Sequence, residues 1–211
     1  MALEAASRIY YLTPAETPSP TALAAVVRAA LSGGVGVVQY RAKGLSTRRM
    51  LRDLETLVAL TRAASVPLIV NDRVDLALAV GADGAHVGAE DLPVAVARRL
   101  LGPYAILGAS VSTPEEARAA VRDGASYLGC GPVFPTTTKP EAPLLSLATL
   151  AAIQRAVTVP VCAIGGITRA TLPELRELRP DLVAVVAAIN DTPDPAAAAA
   201  ELVQMTKDLW D

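Results

Sequence analysis

Eight short apolar runs, amphipathic helical patterns between them, and glycine or proline where those helices must stop or start predict an α/β fold, a closed (β/α)8 barrel forming one domain over residues 1–211. The runs occupy residues 9–12, 35–40, 67–70, 84–87, 106–110, 127–130, 161–163 and 182–186. Continuous apolar strands that alternate with helices call for a parallel sheet covered by helices. Eight such units favour closure into a TIM barrel near the short end of its length range. An open doubly wound sheet is the alternative.

Taken in order, the helical spacing of Ala, Leu and charged residues falls at residues 48–64, 93–101, 113–123 and 147–156, with a shorter pattern between the third and fourth strands and a final Ala-rich helix at 195–210. Thr113-Pro114-Glu115-Glu116 reads as an N-cap, then Pro at the first helical position, then acids in the first turn. Gly33-Gly34, Gly81 and Gly124 stand where helices must end. Residues 191–195 read as a helix-entry loop, and no low-complexity linker marks a domain boundary.

Composition narrows the function classes. The chain is 52% hydrophobic but only 3% aromatic, so its core must be built from Ala, Val, Leu and Ile. No apolar run approaches a membrane span, and residues 1–8 lack the basic-then-apolar pattern of a secretion signal, so the expected location is the cytoplasm. Cys130 and Cys162 each end an apolar run and read as small buried residues of a reduced protein. A net charge of −2 gives no general attraction to nucleic acid, so any anion must be held by a local cluster.

Barrel chemistry sits in the loops after the C-terminal ends of the strands, and the unusual polar residues collect there. Gln39, Arg41 and Lys43 alternate after the second strand and so share a face. Asn71 and Asp72 follow the third strand, Asp91 the fourth, and Ser110 ends the fifth. A long loop with Thr136, Thr137, Thr138 and Lys139 follows the sixth, and Gly165-Gly166 the seventh. Neighbouring strands would bring Asp72 and Asp91 to one edge, where they could share a divalent cation of the Mg2+ type, which takes carboxylates and keeps positions for water or phosphate. The competing reading makes both acids helix caps. Arg41, Lys43 and Lys139 beside such a metal suit a diphosphate, whose several negative oxygens need joint neutralisation. The Gly pair and the turn after the eighth strand suit a monophosphate. His86, inside the fourth strand, is read as structural, with a base role as the alternative, because metal and cations already account for the site. The tyrosines read as core or surface filling. No Ser-His-Asp or Cys-His arrangement stands out.

Several stretches together resemble the thiamine phosphate synthase family in order and spacing: residues 38–43, 70–75, 84–88 with Glu90-Asp91-Leu92-Pro93, 129–136 with Thr138-Lys139, and Ile164-Gly165-Gly166-Ile167. The resemblance covers nearly the whole chain. It implies a (β/α)8 transferase of thiamine biosynthesis that joins an aminopyrimidine methyl diphosphate to a thiazole phosphate, using Mg2+ and releasing diphosphate. Carried over by motif, Gln39, Arg41, Lys43, Asn71, Ser110 and Lys139 hold the pyrimidine diphosphate, Tyr40 and Ala42 of the same stretch are counted with the substrate-binding residues, and Asp72 and Asp91 hold the metal. Thr136, Thr137, Thr138, Gly166, Val186 and Ala187 surround the thiazole phosphate. Arg41, Lys43 and Lys139 act on the leaving diphosphate, and no protein nucleophile or base is required. The implied partners are small molecules, with no nucleic acid and no membrane; a homodimer is compatible with the sequence. Three positions depart from the pattern: Ala89 stands for Gln, Ser146 for Gly, and Ala187 for Ser. Missing side-chain donors imply weaker binding or altered specificity. Alternatives are a thiazole tautomerase-like relative, which has His where this chain has Pro132, and a non-catalytic ligand-binding barrel.

Overall fold

The computed structural model describes residues 5–16, 19–136 and 141–210. Of the candidate site residues, Thr137, Thr138 and Lys139 lie outside these. The apolar runs form β1 (Ile9–Leu12), β2 (Val37–Tyr40), β3 (Leu68–Asn71), β4 (Gly84–Val87), β5 (Ile106–Val111), β6 (Tyr127–Cys130), β7 (Val161–Ile164) and β8 (Leu182–Val185). All pair in parallel with their sequence neighbours, and β8 closes on β1. The open-sheet alternative is thereby excluded.

Strand alternation divides the interior in two. Tyr10, Leu12, Val37, Ile69, Ile106, Tyr127, Cys162, Leu182 and Ala184, all strand residues at every second position, fill the lumen. Their neighbours in sequence, such as Ile9, Tyr11, Val38, Leu68 and Leu107, pack against the helices. Each fully buried Leu or Ile contributes about 1.5–3 kcal/mol. Cys130 and Cys162 are buried free thiols, and burial pushes the Cys130 thiol up to about 12.

The helices are α1 (Pro20–Ser32), α2 (Thr47–Ala63), α3 (Val74–Val80), α4 (Val94–Leu101), α5 (Pro114–Arg122), α6 (Leu147–Ala156), α7 (Ala187–Asn190) and α8 (Pro195–Trp210). Thr113 caps α5 by accepting from the Glu116 amide, and the Glu116 carboxylate reaches back to the Ser112 amide. Gly81 ends α3 in the left-handed region at φ 63°. Ser146, the residue in place of the expected Gly, caps α6 by accepting from the Thr149 amide.

Two local expectations are corrected. The strand expected from residue 35 begins at Val37, because Gly36 lies against the N-terminal segment: its amide donates to Ile9 O, and a Cβ there would stand 2.1 Å from Ser7 O. After β7 the chain makes a 3-10 turn, Leu172–Leu175, in the place that the alternation of eight β/α units gives to a helix, and a single extra turn, α7, precedes α8.

The N-terminal end of the barrel uses its polar groups on itself. The Asp83 and Asp181 carboxylates accept from the Leu68 and Val161 amides, so they cap strand starts. The Arg98 guanidinium donates to the carbonyls of Gly102, Ala105 and Gly124. Two cavities of about 400 and 350 Å3 lie at this end, and none of the candidate residues lines them.

Candidate active site

At the C-terminal end the second strand sets the first side chains. Gln39 points into the lumen, 4% exposed, and its Nε2 donates to the Tyr10 hydroxyl at 2.8 Å. Tyr40 takes the opposite face: its hydroxyl donates to Asp53 of α2 at 3.0 Å, and Arg49 holds the other Asp53 oxygen at 2.9 Å. The Tyr40 ring therefore braces β2 from behind, and Ala42 packs on the same outer core. Thr13, which no motif singles out, fixes the backbone of Arg41. Its hydroxyl accepts from the Arg41 amide at 2.9 Å and donates to the Arg41 carbonyl at 3.1 Å. Two residues on, the Lys43 ammonium meets Asp72 at 2.9 Å.

The acids come together as the strand order requires. Asn71 ends β3 in register with His86, and the next residue, Asp72, turns sharply at φ 64° while its amide donates to the His86 carbonyl at 2.8 Å. Asp and Asn tolerate this left-handed conformation better than most residues. The helix-cap reading fails for both acids. Neither α3 nor α4 receives a side-chain cap, and the Asp91 carboxylate instead accepts from the Gly88 amide at 2.8 Å. Burial, helped by the neighbouring Asp72 carboxylate, holds the Asp91 carboxyl above its ordinary range, against the opposing pull of the Gly88 amide and Lys43. A cation between two such acids would relieve that repulsion. Among the described residues no three His, Cys, Asp or Glu gather as a metal cage. A carboxylate pair is the donor set of an ion that keeps places for water and substrate phosphate, which suits Mg2+.

Within the lumen, a hydrogen-bonded chain that the sequence reading missed links two candidate residues. Tyr10 and Tyr127 hydroxyls lie 2.6 Å apart, Tyr127 reaches His86 Nδ1 at 2.9 Å, and His86 Nε2 reaches Ser110 Oγ at 2.9 Å. With the Gln39 contact, five strands contribute one member each. Strand alternation turns Tyr10, Gln39, His86, Ser110 and Tyr127 to the inward face, and the register between strands makes them neighbours.

Opposite the acids, the segment after β6 lies on the segment after β7. Val133 and Phe134 amides donate to the carbonyls of Ile164 and Gly165, and Thr136 is half-buried. Gly165 and Gly166 have φ of 97° and 64°, and a Cβ on either would stand 2.4 Å from Pro132 Cβ or Pro135 O. This close approach is why two glycines occur here. After β8, Val186 leads into α7, whose first residue, Ala187, is exposed. Tyr11 anchors that turn by donating to Asn190 Oδ1 at 2.6 Å.

A family model described as thiamine monophosphate synthase matches residues 9–189. The thiamine-phosphate synthase of Chloroflexus aurantiacus is 50% identical over 196 residues, covering 92% of this chain and 90% of its own. That of Roseiflexus castenholzii is 47% identical over 191 residues, covering 90% and 84%. Among solved structures, a thiamine phosphate pyrophosphorylase from Pyrococcus furiosus is similar at a TM-score of 0.87 and 38% identity, covering 97% of each chain.

Proposed function

This chain belongs to the thiamine monophosphate synthase family, and from that premise we propose that it joins 4-amino-2-methyl-5-(diphosphooxymethyl)pyrimidine to a thiazole phosphate, giving thiamine phosphate and diphosphate. The observation that carries this reading is the Lys43, Asp72 and Asp91 cluster at the mouth of the barrel, where neither acid is spent on capping a helix. Assay of the purified chain with both substrates tests it. Thiamine phosphate must appear, and diphosphate with it in equal amount.

The chemistry follows from charge. The methylene C–O bond breaks with its electron pair going to the diphosphate, and the thiazole nitrogen lone pair then forms the new C–N bond. No proton is moved, so no base is needed. Asp72 and Asp91 would hold Mg2+, which when bound supplies neutralisation to the diphosphate oxygens. Lys43 is more than half exposed in its pair with Asp72. Such a pair is worth little by itself, so the ammonium is free to turn towards a phosphate. Arg41, on the backbone that Thr13 fixes, and Lys139 would share the growing charge. Asn71 would help to position the pyrimidine. The reaction would take place in the cytoplasm; among the described residues no helix is long and apolar enough to cross a membrane.

Lys139 acts on charge that develops as the bond breaks, so it contributes more in the transition state than in the ground state. Lys139→Ala lowers kcat more than it raises either KM in this reading. Steady-state kinetics check it, and a raised KM with unchanged kcat would confine Lys139 to binding.

The thiazole phosphate would rest on Thr136, Thr137, Thr138, Gly166 and the Val186 and Ala187 turn, where barrels of this class place a short extra helix. Ala187 heads that turn without a hydroxyl. A hydrogen bond to a charged group is worth about 1.5–3 kcal/mol, tenfold or more in affinity. Ala187→Ser is therefore expected to lower the KM for thiazole phosphate roughly tenfold and to leave that for the pyrimidine unchanged. Equal shifts in both KM values would remove Ala187 from the phosphate site.

A further inference from the structure

We propose that Tyr10, Tyr127 and His86 are positioning residues, a one-way hydrogen-bond chain that presents Gln39 as an acceptor and Ser110 as a donor at the barrel mouth and so selects an amino over an oxo pyrimidine. The recognition half of this inference rests on the reaction proposed above; the polarity of the chain does not.

The direction follows from counting protons. Gln39 Nε2 is a donor only, so the Tyr10 oxygen accepts from it at 2.8 Å. The buried Tyr10 hydroxyl has Tyr127 as its one remaining partner among the described residues, so its single proton points to Tyr127 at 2.6 Å; the reverse direction would leave that proton without an acceptor. Tyr127 in turn gives its only proton to His86 Nδ1 at 2.9 Å. A ring nitrogen that accepts carries no proton, so a neutral His86 has its proton on Nε2 and donates it to Ser110 Oγ at 2.9 Å. Ser110 has accepted within the chain, and its own proton is left to point outward. At the other end the Gln39 amide group is committed to Tyr10, and Oε1 is the atom left to accept.

Three further observations fit a built device. Tyr10 and Tyr127 are 1% and 0% exposed, whereas Ser110, at the end of the chain, is exposed. Burial holds both phenols far above their ordinary range, so each keeps the proton that the chain needs. Gly108 also leaves the room that the central contact fills: a Cβ there would stand 2.3 Å from His86 Nδ1 and 2.4 Å from the Tyr127 hydroxyl.

An aminopyrimidine offers an N–H to Gln39 Oε1 and ring-nitrogen lone pairs to a donor. The oxo analogue turns a carbonyl towards Oε1, acceptor against acceptor, and one buried mismatch of this kind costs on the order of tenfold to a hundredfold in affinity.

His86 is the sole histidine, so 15N labelling of imidazole gives one pair of ring signals to read. Expected for the wild-type protein without substrate is an unprotonated Nδ1 and a protonated Nε2; the reverse tautomer would overturn the chain's direction. Tyr127→Phe removes the donor to Nδ1. In that variant the ring is expected to lose its single tautomer, and the KM for the pyrimidine diphosphate to rise about tenfold while that for thiazole phosphate stays fixed. A Tyr127→Phe protein with the same tautomer and the same KM would sink the positioning role. A wild-type enzyme that accepts the oxo analogue as well as the amino substrate would overturn the selectivity. If no thiamine phosphate forms at all while the tautomer is as expected, the reaction has failed and the chain's polarity has not.

Discussion

Asp72→Asn and Asp91→Asn each reduce thiamine phosphate formation in Mg2+ by about a thousandfold or more, roughly 4 kcal/mol of transition-state stabilisation, while the folded protein persists. Asn suits both places. It tolerates the left-handed backbone at residue 72 as Asp does, and at residue 91 its carbonyl can still accept from the Gly88 amide. The lost Lys43 contact is exposed and contributes little stability. The folded state holds the Asp91 carboxyl above its ordinary range, mainly by burial and also by Asp72. Ionising Asp91 therefore costs stability above its raised folded value, and the cost vanishes below the unfolded value of about 3.9. Without metal, Asp91→Asn should melt at or above the wild-type temperature at neutral pH, with the difference closing in acid. Melting curves at several pH values and product assays with Mg2+ or chelator check both parts. A wild-type enzyme at full rate in chelator, or variants at full rate in Mg2+, would remove the metal pair.

Legibility in the sequence followed the range of the interaction concerned. Continuous runs such as residues 84–87 and 127–130 need only local patterning, and both appear as expected in the barrel. Boundaries set by a contact elsewhere did not show: Gly36 leaves the second strand because the N-terminal segment lies against it. The four-residue helix at Ala187–Asn190 is too short for any helical period to appear. In the site, Asp72 and Asp91 could be picked out because they follow neighbouring strands, but whether they cap helices is a matter of side-chain direction. Tyr40 illustrates the reverse case. The resemblance set it among the substrate-binding residues, but alternation about Gln39 turns its ring to the helix side, where it meets Asp53. The lumen chain was hidden for another reason. Tyr10 and Tyr127 are 117 residues apart, and only the pairing of Gly108 with both His86 and Tyr127 brings the middle of the chain together.

That pairing makes Gly108 the place where one methyl group should do most damage. In Gly108→Ala the new Cβ would stand 2.3 Å from His86 Nδ1 and 2.3 Å from Tyr127 Cζ, well inside contact distance. Neither neighbour is a flexible chain end. Both are rings on adjacent strands, with Tyr127 0% and His86 9% exposed, and each is held by its own hydrogen bonds. Overpacking of this sort costs about 1–3 kcal/mol, and in a chain of this size that lowers the melting temperature by roughly 2–12 °C. The larger effect falls on activity. Separating His86 from Tyr127 leaves Ser110 without its fixed partner, and a displacement near 1 Å can cost on the order of a hundredfold in rate. Gly129→Ala provides the comparison, because among the described residues its Cβ would meet only the His86 ring, at 3.0 Å from Cε1 and 3.4 Å from Nε2. A shift of a few tenths of an ångström accommodates it, so its losses in melting temperature and in kcat/KM should both be smaller. Gly108→Ala with wild-type melting and kinetics, or Gly129→Ala as the worse of the two, would mean that the His86 and Tyr127 contact does not control the site.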